Sequence, residues 1–211
     1  MTAISIIYYS GSGTTDGVAK LIATGVELVD GINCHLLRIN PKHIVDGRWH
    51  DDETLNTLNA SQGIIFGSPT YMGSLASQFK AFMDRTSELW ATHQWKNKVA
   101  GGFTSCGSPA GDNLNCLIQL AVFAAQHGMI WIGQSELPEK YVSGGTPDDA
   151  NRLGSFLGLA TQVTAGQPLK QAPSGDFKTA KLFGKRVAQL TATFCRASAS
   201  HDSGLTPVTT F

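Results

Sequence analysis

"AISIIYYSGSGTT", residues 3–15, passes from an apolar run straight into a turn of glycines and hydroxyls. Its opening, AISIIYYS, is rich in β-branched and aromatic residues, the pattern of a strand buried on both faces. A helix should follow the turn, because Val18, Leu21, Ile22, Val26 and Val29 recur along one stripe. A strand buried on both faces needs a covering layer on each side, which points to a parallel sheet with helices above and below.

The rest of the chain repeats this alternation. INCHLLRI (32–39) reads as a second strand and DDETLNTLNA (51–60) as a short helix. GIIFGSPTY (63–71) is a third strand ending in a Ser-Pro-Thr loop, before a helix marked by Leu75, Phe79, Phe82, Met83 and Thr86. KVAGGFTSCG (98–107) is a fourth strand. NLNCLIQLAVFAAQHG (113–128) is the clearest helix, with Leu114, Leu117, Ile118, Ala121, Val122 and Ala125 as its apolar positions and Gly128 as its stop. MIWIG (129–133) is the fifth strand, and Ala180, Phe183, Val187, Leu190 and Phe194 stripe a last helix.

Right-handed crossovers between such strands favour the α/β flavodoxin-like arrangement, a doubly wound five-stranded parallel sheet of order 2-1-3-4-5 with helices on both faces. One domain over 1–196 is expected. Residues 134–176, rich in Gly, Pro, Ser and Thr, form a long insertion near the site, and ASASHDSGLTPVTTF (197–211) a flexible tail.

Sixteen basic residues balance sixteen acidic ones. Zero net charge argues against nucleic-acid binding, which needs an excess of cations, and against an acidic electron carrier that docks by charge. Cys34, Cys106, Cys116 and Cys195 lack metal-ligand spacing, so no metal site is expected. Reduced thiols, no signal segment and no membrane-length apolar run lead to the expectation of a cytoplasmic protein off the membrane.

Ligands of a doubly wound sheet sit beyond the carboxyl ends of the strands, here at the loops after strands one, three and four. The first, Ser10, Gly11, Ser12, Gly13, Thr14 and Thr15, gathers hydroxyls and N–H groups at a helix N-terminus, which suits a phosphate. It matches neither G-x-G-x-x-G nor a P-loop. It offers neutral donors without a cation, and LRINPKH (37–43) reads as a solvated face. An ordinary N-capped turn would look similar. In the strand-four loop, Cys106 reads as a small packed residue.

SGSGTT resembles the phosphate loop of flavodoxins. GSPTYMGSLASQFKAFMDRT (67–86), ELW (88–90), SCGSPAGDN (105–113), AQHGM (125–129) and SGGTP (143–147) are similar, in order and spacing, to segments of the WrbA-type NAD(P)H:quinone oxidoreductases, a flavodoxin-like FMN family. The resemblance implies that Ser10–Thr15 hold the FMN phosphate. It runs Pro69, Thr70, Tyr71, Met72 and Gly73 along the ring system, and Ser105, Cys106, Gly107, Ser108, Pro109 and Ala110 along the pyrimidine side and ribityl chain. It also implies His127 near the flavin as proton donor or electrostatic partner, and Trp90 at the open face where substrate enters. The implied activity is two-electron transfer from NADH or NADPH through FMN to a quinone or similar acceptor, in a homodimer or homotetramer whose 134–176 region completes a neighbour's pocket. A one-electron carrier is the other reading. The chain departs from the family at Ser12, where an aromatic is usual, and in DDANRLGSF (148–156) on the substrate side of the pocket.

Overall fold

The computed structural model describes residues 2–138, 145–163 and 172–202, with side chains through residue 198. In chain order, β1 (Thr2–Tyr8) leads into α1 (Thr14–Val26), β2 (Ile32–Arg38), a small hairpin of β3 (Ile44–Val45) and β4 (Arg48–Trp49), and α2 (Asp52–Ala60). Next come β5 (Gly63–Tyr71), β6 (Ser74–Leu75), α3 (Ser77–Arg85), α4 (Ser87–Ala91), β7 (Val99–Cys106) and α5 (Asn113–Gln126). β8 (Ile130–Trp131), β9 (Leu159–Gln162) and α6 (Ser174–Asp202) complete the described elements.

β2, β1, β5, β7 and β8 lie side by side in that order, all parallel. The winding therefore reverses between β1 and β5, and their carboxyl ends open onto a shared crevice. Alternate residues of β1 supply two separate cores. Ile7 joins Phe66, Phe79, Phe82, Trp95 and Phe123 on one face. Ile4, Ile6 and Tyr8 join Val18, Ile22, Phe183 and Val187 on the other. Burial on both sides of the strand thus follows from its unbroken apolar run.

Three features differ from the sequence reading. The fifth position of the sheet is shared by two strands: β8 pairs with Val99 and Ala100, and β9 with Phe103 through Cys106. β9 lies inside the expected 134–176 insertion. Its four residues are too few to show a period, but they cover backbone groups at the upper end of β7 that would otherwise form a bare edge. Trp131 Nε1 donates to Leu157 O at 2.7 Å and Gln134 N to Phe156 O at 2.8 Å, which closes the excursion at its base. Second, α6 continues to Asp202, past the start of the expected tail at 197. Its alanines favour helix there. Residues 203–211 lie outside the described residues.

Third, the α5 stripe divides between two environments. Leu117, with Cys116, Leu120 and Phe123, is buried. Leu114, Ile118 and Val122 are 60%, 43% and 55% exposed. They form a row at i, i+4 and i+8 along the outer face.

A half-buried cation closes the far end of α2. Lys98 Nζ donates to the carbonyls of Asn59 at 2.6 Å, Ser61 at 2.5 Å and Leu58 at 3.5 Å. Burial holds its pKa below the usual lysine value. Lys98→Met leaves those carbonyls without their donor. It should lower stability by about 2 kcal/mol in urea unfolding, since hydrogen bonds to charged groups contribute about 1.5–3 kcal/mol. An unchanged unfolding midpoint would refute the assignment.

Candidate functional site

β1 ends at Tyr8, and the chain turns over a buried Ser10 into Gly13, the residue before α1, at φ +92°. No side chain caps α1. Gly13 N donates to Ser10 Oγ at 3.1 Å, and Gly17 N to Gly13 O at 3.0 Å. The N–H groups opening the helix therefore have no side-chain cap to meet and are available to an anion at the positive end of the helix dipole. Asp16 in the first turn is engaged elsewhere: Tyr8 Oη donates to it at 2.7 Å and Lys20 Nζ lies at 2.8 Å. Burial works against its carboxylate, but these bonds outweigh that and hold its pKa below the usual value.

The loop was expected to lack a cation, and the structure corrects this. Arg38, the last residue of β2, donates from Nη2 to Ser10 O at 2.8 Å. In a trans peptide C=O and N–H point in opposite directions, so Arg38 turns the Gly11 N–H away from itself while placing positive charge behind the loop. Sequence reading assigned Arg38 to a solvated face. Its position at the carboxyl end of the strand beside β1 was the available signal.

The second loop touches the first. A Cβ on Gly11 would lie 2.6 Å from Tyr71 Oη, so the glycine makes room for that hydroxyl. Thr70↔Leu75 and Tyr71↔Ser74 pair antiparallel across a two-residue turn. Met72 at φ +49° and Gly73 at φ +73° both take the left-handed conformation such a turn requires. Met72 is fully exposed and adopts a backbone that costs a non-glycine residue on the order of 1 kcal/mol. A strained, projecting apolar side chain beside an anion cradle is consistent with ligand contact.

The third loop is tied to the second. Thr70 Oγ1 lies 2.8 Å from Thr104 Oγ1 and donates to Asn113 Oδ1 at 3.1 Å. Asn115 Nδ2 donates to Gly73 O at 2.7 Å. Ser105 Oγ and Thr161 Oγ1 are 2.9 Å apart, and Cys106 Sγ is directed to Gly111 O at 3.5 Å. Gly107, Ser108, Pro109 and Ala110 continue the loop towards α5, with Asn113 N donating to Ala110 O at 2.9 Å. The structure thus gathers Ser10–Thr15, Pro69–Gly73 and Ser105–Ala110 at one edge of the sheet.

His127 and Trp90 are not brought there. α5 starts at that edge and runs back across the sheet for 14 residues, which at 1.5 Å per residue carries its far end about 20 Å away. His127 is the residue capping that far end. With Trp90, Met83, Thr86, Val122 and Phe123 it lines a separate cleft of about 560 Å³. Its ring is 2% exposed and packs 4.6 Å from Trp95 and 4.9 Å from Phe123, centroid to centroid. Burial holds its pKa down at about 4.

The hydrogen bonds fix the tautomer. Thr86 Oγ1 donates to Met83 O at 2.7 Å, so it accepts from His127 Nε2 at 3.0 Å. Nδ1 is then a bare acceptor, buried without a hydrogen-bond partner among the described residues. As folded, this neutral ring has no proton free to donate, contrary to the donor role expected of it.

An FMN-like group fits the crevice. Its phosphate matches the uncapped start of α1 and the nearby Arg38. Its flat ring matches the Tyr71–Met72 projection facing a loop of small residues.

The family described as NADPH-dependent FMN reductase matches residues 5–141. The chain is 37% identical over 191 residues to flavodoxin FldP of Pseudomonas aeruginosa, covering 90% of this chain and 97% of that protein. It is 31% identical over 208 residues to an NAD(P)H dehydrogenase (quinone) of Archaeoglobus fulgidus, covering 92% and 100%. A WrbA-like flavodoxin structure from Agrobacterium tumefaciens superposes with a TM-score of 0.68 at 32% identity, covering 92% of this chain and 99% of that one.

Proposed function

This chain belongs to the NADPH-dependent FMN reductase family, and from that premise we propose the working parts of an FMN-dependent NAD(P)H oxidoreductase with a quinone-like acceptor. Bound there, FMN would supply two-electron chemistry between NADH or NADPH and the acceptor. Ser10 through Thr15 hold its phosphate with neutral donors, backed by the positive charge of Arg38. Tyr71 and Met72 cover the ring and exclude water. Ser105 through Ala110 present backbone N–H groups to the pyrimidine side, where negative charge develops. The uncapped helix start beside Tyr71 is the observation that carries this reading.

The absorption spectrum of the purified protein tests it, before and after NADPH under nitrogen. A flavin band that bleaches in one step is expected. A colourless protein that takes up no added FMN would overturn it. The 37% identity to flavodoxin FldP favours a second reading, an electron carrier. Redox titration separates the two, since a carrier stops stably after one electron.

We also propose one domain, ending with α6, that works in the cytoplasm as a homodimer or homotetramer. Four free cysteines suit a reducing compartment. Among the described residues no helix is long and apolar enough to cross a membrane. Leu114, Ile118 and Val122, continuous with the half-exposed Trp90, give a second copy an apolar face to cover. His127 lies about 20 Å along α5 from its own chain's cradle and shares its cleft with Trp90, so either residue would reach a flavin only across such an interface. Ile118→Asp should therefore give a monomer in size-exclusion chromatography that still binds FMN but turns over at least tenfold more slowly. Full turnover by a monomer would remove Trp90 and His127 from the reaction.

A further inference from the structure

The segment DDANRLGSF, which departs from the family resemblance, holds one member of a polar chain that is buried at its Asp176 end and reaches the exposed third loop. Arg152 grips Asp176 with two bonds, Nε to Oδ1 at 2.7 Å and Nη2 to Oδ2 at 3.1 Å. Both side chains are nearly buried, at 11% and 3% exposure. Asp176 also accepts from Gln162 N at 2.8 Å, at the end of β9. The same Arg152 Nη2 donates to Gln162 Oε1 at 3.1 Å. That fixes the amide so that its NH₂ faces the other way, and Gln162 Nε2 donates to Gly107 O at 3.3 Å. Beside it, Val163 N donates to Cys106 O at 2.9 Å.

We propose that Asp176, Arg152 and Gln162 form a positioning relay that sets the Gly107–Ser108 peptide so that its N–H faces the ligand crevice. The reasoning is geometric. A carbonyl drawn outward by Gln162 turns the Ser108 N–H of the same trans peptide in the opposite direction. Without that bond, a loop of Gly, Ser, Pro and Ala has little else to hold the peptide plane. Arg152 matters because an unpaired glutamine amide could present either its oxygen or its nitrogen to Gly107. None of the three residues needs to touch the cofactor. The functional consequence rests on the flavin reading given above, in which this loop faces the pyrimidine side.

Two measurements on the full chain test the relay, with Gln162→Leu and Gln162→Glu as variants. Glutamate keeps an acceptor for Arg152 but has no N–H for Gly107, so both variants should behave alike. In the apoprotein, amide hydrogen exchange across 105–110 should quicken at least tenfold, while the core strands β1 and β5 stay protected. With FMN added, affinity should fall about five- to tenfold, as for one hydrogen bond lost. The two-electron midpoint potential should also fall, because a donor to the reduced ring is misplaced. Arg152→Met should reproduce the exchange effect.

Unchanged exchange at 105–110 in both Gln162 variants would overturn the relay. So would unchanged affinity and potential in variants that lose only thermal stability, which is what mere bracing predicts. Faster exchange in proteins that take up no FMN, wild type included, would uphold the peptide's anchoring and overturn the flavin reading instead.

Discussion

A Thr14→Asp protein should fold at least as well as the wild type and bind FMN a hundredfold or more weakly. The two effects have opposite signs because they share one cause. Thr14 is the first residue of α1, where the positive end of the helix dipole meets N–H groups without a side-chain cap. A carboxylate there satisfies the helix itself, a gain of roughly 0.3–1 kcal/mol. The same carboxylate occupies the phosphate's place and repels its charge. Two unit charges 4 Å apart at an effective dielectric of 20 interact by about 4 kcal/mol, so a loss of about 3 kcal/mol in binding is a conservative expectation. Fluorescence titration of FMN and the apoprotein melting temperature measure the two halves separately. Stoichiometric flavin retained in the variant would remove the phosphate from this loop.

His127 should make the fold sensitive to mild acid. Its ordinary pKa of 6.5 is lowered to about 4 by burial among Trp95 and Phe123. The unfolded chain therefore takes up a proton below pH 6.5, while the folded protein resists it until about pH 4. Between those values the unfolded state binds more protons, and stability falls as the pH falls. The full excursion is worth about 3 kcal/mol at 1.36 kcal/mol per unit. Urea unfolding at pH 7 and pH 4.5 should show most of this loss in the wild type. His127→Gln, which can still donate to Thr86, should be less stable at pH 7 but lose less on acidification. Parallel pH profiles for the two proteins would show that the ring titrates normally.

Much of the architecture was legible because the strands are unusually plain. The apolar runs at 3–9 and 63–66 announce burial on both faces, and the loops that follow them carry the glycines and hydroxyls of the crevice. What escaped was decided by tertiary contact. β9 is strand because β7 has an edge to cover, and nothing in LATQ announces it. Leu114 and Ile118 look like core from their spacing, yet the helix has apolar residues on more than one side and the sheet can bury only one. His127 lies close to the third loop in sequence, but α5 carries it to the opposite edge. Arg38 and Gln162 escaped for a different reason. Each acts by holding a backbone carbonyl, and such a role leaves no motif.

β8 and β9 grip β7 at separate heights, and that divides the protein into a part that must stay and a part free to vary. Closing a flexible loop costs only about 0.6 kcal/mol more when its length doubles. The excursion between the two strands can therefore be rewritten without moving the cradle, as long as Arg152 keeps its place. A descendant could rewrite this one stretch and inherit the rest of the molecule unchanged.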